Sequence, residues 1–433
     1  MPDSRIVKVV GRRVWDSRGR PTVEAEVHCA DGTAGRAIAP SGASRGSREA
    51  IDLRDGGSAF GGLDVTRAVA GINGAIAKRL AGMDALDQDA LDAALIALDG
   101  TPDKSRLGGN AMIAVSLASL QAAASSRGLT LWQHLAEGGP VSLPMPQIQI
   151  FGGGAHAGGR IDIQDLMVVP VGAASFVEAC SMVAEVYRAA GNLMSRKGSR
   201  AGVADEGGWW PDFARNDEAL ATLVRAIEAA GFHPGDDIAI ALDVAASEFS
   251  ELGDGTAHRY RFALEGREFD TDGLVELLLG WLDRYPIASI EDPLAEDDAA
   301  GMQAFTAAAG KRVQIVGDDY LVTSADLVRQ AAASRACNAV LIKPNQAGTV
   351  METRAALDAG KQTGFGTVVS ARSGETEDVA IVHLAVGWNA GQLKVGSFAR
   401  SERMAKWNEA LRIEEALGGA AHFAGRGALD RGR

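Results

Sequence analysis

The sequence predicts an α/β protein, a β/α barrel preceded by an N-terminal α+β capping domain, on three observations. Short apolar runs alternate with amphipathic stretches over residues 238–388, the order expected of βα units of about 30 residues each. Three of the apolar runs end in carboxylates, at Asp243, Glu291 and Asp318. Before residue 140 the order differs, with strand-like runs first and helical patterns after them.

Residues 6–14 and 22–29 read as strands joined by the turn residues Asp16-Ser17-Arg18-Gly19, which makes a hairpin. Helical periodicity covers residues 65–81, 85–98 and 111–127. The proline-punctuated stretch 139–146 is the boundary, giving domains of residues 1–139 and 140–433. Beyond it the strands 238–244, 287–291, 313–316, 340–342 and 367–369 precede the helices 272–285, 299–309, 324–334, 350–363 and 376–388. This rhythm alone fits a barrel or a doubly wound sheet, and the chemistry at the strand ends separates them.

With 433 residues, 46% of them hydrophobic, the chain can bury a large core. A net charge of −13 and the absence of any Lys/Arg block argue against a nucleic-acid surface. Anionic small molecules stay open as substrates, because the potential in a cleft is set by its own ions and side chains. Cys29, Cys180 and Cys337 are far apart and form no C-x-x-C pair, which predicts plain buried thiols. No stretch approaches about 20 apolar residues and no signal core follows the N-terminus. A cytoplasmic enzyme, without a membrane partner, is the expectation.

In a barrel all parallel strands end at one mouth, so Asp243, Glu291 and Asp318 would meet there. Singly each could cap the next helix. Three in register make an oxygen-only site for a hard cation such as Mg²⁺. Lys343 and Lys394 follow two further apolar runs. A lysine beside a divalent cation has its charged form disfavoured and can act as a general base, the pairing used for proton abstraction beside a carboxylate. A surface ion pair is the alternative for each lysine, more so for Lys394.

Three further segments suit the same mouth. Glu206, in Asp205-Glu206-Gly207-Gly208, could protonate a leaving group or be a solvated loop carboxylate. Arg372-Ser373 offers a guanidinium and a hydroxyl for phosphate, or a turn with a surface ion pair. His156 lies in a run so glycine-rich that a mobile loop is expected.

Taken together these segments resemble the enolase family. The resemblance rests on Asp16-Ser17-Arg18-Gly19, Ser41-Gly42-Ala43-Ser44, His156-Ala157-Gly158-Gly159, Asp205-Glu206-Gly207-Gly208, Ser247-Glu248-Phe249, Ile290-Glu291-Asp292-Pro293, Arg372-Ser373-Gly374-Glu375-Thr376-Glu377-Asp378 and Ala399-Arg400-Ser401-Glu402-Arg403. It implies an enolase-type barrel that opens ββαα, and two Mg²⁺ ions, the second bound with substrate. By motif position Asp243, Glu291 and Asp318 are similar to ligands of the first ion, and Ser41, on a closing loop, to a ligand of the second. Lys343 matches the general base and Glu206 the acid. Gln164 and Asp165 match the acid and water-handling side, Lys394 a substrate lysine, Arg372 with Ser373 the phosphate clamp, and His156 a loop histidine that moves toward the phosphate. The implied substrate is a small phosphorylated carboxylic acid, 2-phosphoglycerate or phosphoenolpyruvate. Enolases are usually dimeric, and Arg18, Glu24, Arg412 and Glu415 are similar to charged positions of that interface, which implies a homodimer or an oligomer of dimers.

Four positions depart from the family pattern. Ala371 stands where the family has His, Asp165 where it has Glu, Arg45 where it has Thr, and Pro344 where it has Val. Loss of the imidazole and of one methylene falls where hydroxide would leave, and Arg45 adds a guanidinium that could meet a further anion. The expectation is a diverged enolase that forms the enolate and passes it to a second, phosphonate or nucleotide-linked substrate, as the similar carboxyphosphonoenolpyruvate synthases of antibiotic pathways do. Ordinary glycolytic dehydration is the alternative, and a catalytically silent binding homologue a third.

Overall fold

A computed structural model describes residues 3–196, 198, 202–253 and 257–429. The N-terminal sheet contains β1 (Ile6–Trp15), β2 (Pro21–Cys29) and β3 (Ala34–Ile38), all antiparallel. The expected hairpin closes at Asp16, whose Oδ1 accepts from the backbone N–H groups of Arg18 and Arg20 at 2.9 Å each. Strand β3 is an addition to the elements expected from the sequence. Helices follow at Gln88–Asp99 and Gly109–Ser126, and residues 66–80 are one helical run that widens to a π-turn over Ile72–Ile76.

The second unit contains β4 (Met145–Gly152), β5 (Asp165–Val169), β6 (Ala239–Asp243), a small antiparallel sheet of β7 (Ser250–Gly253), β8 (Ala257–Phe262) and β9 (Arg267–Phe269), then β10 (Ile287–Glu291), β11 (Gln314–Gly317), β12 (Ala339–Ile342), β13 (Gly366–Ser370) and β14 (Gly391–Ser397). Strands β10-β11-β12-β13-β14-β4-β5-β6 close an eight-strand barrel. The opening is ββαα: β4 and β5 come first, then the helices Phe176–Arg196 and Asn216–Ala229, then β6. Strand β5 runs antiparallel to both its neighbours, while the other barrel pairs are parallel. That reversal decides the site, because it brings the start of β5 to the mouth where the other strands end. Asp165 pairs with Asp243 across the ladder.

The barrel helices begin where side chains satisfy their free N–H groups. Asp270, Asp298, Ser324 and Thr349 accept from Gly273, Gly301, Leu327 and Glu352 respectively. Far from the mouth the barrel interior holds a polar stack in which Gln147 donates to Gln392 at 2.8 Å and Gln392 to Gln314 at 2.7 Å. The small β7–β9 sheet escapes the sequence pattern because its strands are short and mostly solvent-facing, with only Tyr260 and Phe262 buried. The three thiols are buried and free, as expected. No helix among the described residues is long and apolar enough to cross a membrane.

The N-terminal unit is seated on the barrel mouth by backbone and side chain. Ser41 and Gly374 exchange backbone hydrogen bonds at 2.9 and 2.8 Å, and Ile38 N donates to Asp378. A side chain at Gly374 would sit 2.3 Å from Arg18 Nη2 and 2.4 Å from Asp16 Oδ2, so glycine is what lets the Asp16-Ser17-Arg18 turn pack there.

Candidate active site

A small cavity opens at the barrel mouth, lined by Ser44, His156, Gln164, Asp165, Glu206 and Asp243 on one part of its wall and by Lys343, Ala371, Arg372, Ser373 and Lys394 on the rest. Residues from the ends of β5, β6, β12 and β13, from within β14 and from three connecting segments are thereby brought together.

Lys394 is not a surface residue. It is buried at the centre of the carboxylates, its Nζ 2.8 Å from Asp243 Oδ2, 2.8 Å from both oxygens of Glu291 and 3.6 Å from Asp165 Oδ2. Burial pushes its ammonium down, but Asp243 and Glu291 outweigh this and hold it well above the lysine range. Lys343 is buried too, and its ammonium donates to Asp318 Oδ2. Burial is the largest influence and lowers its pKa, but the carboxylates of Asp318 and Glu291 together outweigh it, and the net direction is upward. A depressed lysine is the expectation beside a divalent cation; with the protein's own side chains as its only neighbours the direction is the opposite.

The donor set fits such a cation. Asp243 and Glu291 end adjacent strands and face each other in register, and Asp318 follows the next strand. Burial first, and then the Asp243 charge, push the Glu291 carboxyl well above the carboxylate range. Among the described residues two groups of ligand atoms lie within 4.8 Å of one another, His156 with Asp165 and Glu206, and Asp292 with Asp318 and Asp319, and neither includes Asp243 or Glu291. The second is an anchor in part, since Asp292 accepts from the backbone N–H of Asp318 at 2.9 Å and of Asp319 at 2.7 Å. Ser41 stands elsewhere: its Oγ donates to Asp52 at 3.0 Å and accepts from Arg54 at 3.1 Å.

His156 sits on a short 3₁₀ turn, Gly154–Ala157, within the glycine-rich run, and is buried. Its Nδ1 is 3.0 Å from Asp165 Oδ1 and its Nε2 is 3.8 Å from Glu206 Oε1. Burial lowers its pKa, but Glu206 and Asp165 outweigh that and raise it to about 9. Glu206 is likewise buried rather than a solvated loop carboxylate. Asp165 also accepts from Gln149, and Gln164 Nε2 donates to Asp243 Oδ2 at 3.1 Å while its Oε1 is buried without a partner among the described residues.

Arg372 is no surface ion pair. It is buried, and Glu49 of the loop over the mouth grips it with both oxygens, at 3.0 and 3.1 Å. Ser373 Oγ accepts from Arg18 Nη1 at 3.2 Å. Arg45 lies outside the cavity lining, its Nη2 3.3 Å from the Ala50 carbonyl and its Nε 4.0 Å from Glu49. Ala371 lines the cavity with a methyl group where the family pattern has an imidazole. Pro344 opens a short helix, Pro344–Ala347, at the position where a missing N–H is harmless. Arg18 and Glu24 are engaged within the chain, by Asp16 and Ser41 and by Arg12 and Arg36. Arg412 pairs with Glu409 on the surface, and Glu415 is exposed.

The residues that hold the others are not apparent from the sequence. Gln149 fixes Asp165, Arg403 donates to the carbonyls of Arg372, Ser373 and Val395, and Thr323 accepts the backbone N–H of Lys343 at 2.9 Å. Arg403 belongs to one of the family-like motifs, but nothing in its spacing tells which carbonyls it serves.

The comparisons with known proteins agree in covering the chain. The family described as "Enolase, N-terminal domain" matches residues 6–135, and "Enolase, C-terminal TIM barrel domain" matches residues 140–431. Enolase 1 of Desulfitobacterium hafniense (strain Y51) is 48% identical over 428 residues, covering 99% of this chain and 97% of that protein.

Proposed function

Since this chain belongs to the enolase family over both of its units, we propose that it interconverts 2-phosphoglycerate and phosphoenolpyruvate through an enolate. The observation that carries this reading is the opposition of Lys343 and the Asp165–His156–Glu206 group across one cavity. Lys343 follows β12 and Asp165 opens β5, and these strands lie four places apart either way around the eight-strand ring. A proton can be taken from one face of a substrate and delivered to the other.

Lys343 removes the proton beside the carboxylate, and the C–H electron pair moves into that carboxylate to form the enediolate. The hydroxyl on the next carbon then leaves as water with a proton from Glu206, next to His156. Arg372 and Ser373 face the phosphoryl group, and Lys394 faces the substrate carboxylate. Asp243, Glu291 and Asp318 would hold Mg²⁺, which supplies positive charge against the enediolate when bound. A second ion, bound with substrate, would be held by Ser41. The test is α-proton exchange of 2-phosphoglycerate in deuterated water with Mg²⁺, followed beside phosphoenolpyruvate formation. A chain that performs neither is a silent homologue.

A second reading is favoured by one feature of the wall. Ala371 leaves it short of an imidazole, and Asp165, held back by His156 and Gln149, is one methylene shorter than the family's residue. On this reading a phosphonoformate donor is bound beside the enolate, the class of second substrate used by carboxyphosphonoenolpyruvate synthases. Incubation with 2-phosphoglycerate, Mg²⁺ and phosphonoformate, free or nucleotide-linked, decides it: a product beyond phosphoenolpyruvate supports it, and phosphoenolpyruvate alone removes it. Assembly as a homodimer belongs to the same proposal and is measured by sedimentation.

A further inference from the structure

Arg372, the proposed phosphate clamp, is heavily engaged by the protein itself. A guanidinium has five N–H donors. Nη1 donates to Glu49 Oε2 at 3.0 Å and to Asn345 Oδ1 at 3.1 Å, and Nη2 to Glu49 Oε1 at 3.1 Å and to the Ser44 carbonyl at 3.0 Å. Four donors are thereby taken, and only Nε–H has no hydrogen-bond partner among the described residues. The loop that provides Glu49 also provides Gly42, Ala43 and Ser44 to the cavity wall. It lies so close that a side chain at Gly42 would stand 2.0 Å from Arg372 Nη2.

Glu49 also reaches the other side of the site. Gln346 Nε2 donates to Asp318 Oδ1 at 2.9 Å and lies 3.4 Å from Glu49 Oε1, and its own Oε1 accepts from Thr323 at 2.6 Å. Thr323 in turn accepts the Lys343 backbone N–H.

We propose that Glu49 is a positioning residue: docked from the loop, it orients Arg372 so that Nε–H faces the cavity, and through Gln346 it ties closure of the loop to the placement of Asp318 and Lys343. The inference rests on the enolate reading of the site for its kinetic consequence, but not for its structural one. A glutamine at 49 keeps the size and loses the function, because its amide NH₂ would meet the guanidinium donor to donor. An aspartate keeps the charge and loses reach.

The experiment compares wild type, Glu49→Gln and Glu49→Asp by steady-state kinetics on 2-phosphoglycerate and by hydrogen–deuterium exchange of residues 42–47 in substrate-free protein, with unfolding midpoints as the check on folding. Glu49→Gln is expected to lower kcat at least about 10-fold with a smaller change in KM. Exchange of the loop should be faster by a similar factor, and Glu49→Asp should fall between the two. Loop exchange unchanged in Glu49→Gln overturns the proposal, as does a raised KM with kcat intact. A wild type without α-proton exchange removes the enolate reading, while the loop measurement still tests Glu49. If Glu49→Gln does not fold, Gln346→Glu, which sets a second carboxylate against Glu49, is expected to free the loop, and an unchanged loop there overturns the proposal equally.

Discussion

Lys394 Nζ stands 2.8 Å from both carboxylate oxygens of Glu291, at the centre of the proposed metal site. The ammonium supplies part of the positive charge that these buried carboxylates require. Removing one member of a buried pair typically costs about 3–5 kcal/mol. Lys394→Met is therefore expected to destabilise the protein strongly in chelator and less in Mg²⁺. Unfolding midpoints in the two conditions measure it, and a shift equal to that of wild type would show that lysine and cation do not share the site.

Lys343→Ala should lower α-proton exchange of 2-phosphoglycerate by ~10²–10⁴, the usual range for a general base. Proton NMR in deuterated water reads the exchange directly. Exchange at the wild-type rate would transfer the role of base to another group.

Glu206→Gln separates the two halves of the reaction. The enolate should still form, so exchange continues, while phosphoenolpyruvate formation falls by ~10²–10⁴. Both rates come from one sample, and parallel loss of the two would place Glu206 in binding rather than in proton delivery.

Ala371→His tests whether the short side chain sets specificity. Dehydration should continue with little change, whereas any product formed with a phosphonoformate donor should disappear, since the imidazole would fill the wall the donor uses. Equal loss of both activities would remove Ala371 from the specificity account.

Asp92 gives a pH prediction remote from the site. It is fully buried between the N-terminal unit and a barrel helix, accepting from Ser116 at 2.6 Å, Gln88 at 3.1 Å and the backbone N–H of Met351 at 2.8 Å. Burial pushes its carboxyl up to about 6, with Glu352 adding to the shift. A raised acid stabilises the fold fully below its unfolded pKa, and that contribution is lost as pH rises through the folded one. Wild type should thus lose stability relative to Asp92→Asn between about pH 4 and pH 6, by roughly 3 kcal/mol at most. Urea titrations across that range check the sign, and parallel curves would refute it.

Much of the fold is legible in the amino-acid sequence. The βα alternation locates every barrel strand from β10 to β13 to within a residue or two, because buried parallel strands are written as continuous apolar runs. The strand-end carboxylates Asp243, Glu291 and Asp318, and the lysines that follow β12 and lie within β14, are visible for the same reason. Strand β5 is not, since nothing in Asp165–Val169 states which way the strand runs.

By itself the sequence determined the βα order from β10 to β13, the family and the chemical kind of each group at the mouth. Tertiary structure alone decided their state. Reversal of β5 carries Asp165 to the mouth, and burial removes the water that would otherwise screen each charge. Lys394, Lys343, His156 and Arg372 therefore take their properties from carboxylates far away in the chain, Glu291, Asp318, Glu206 and Glu49. Electrostatic pairing in a low-dielectric site depends on distance in space, which spacing along the chain does not encode.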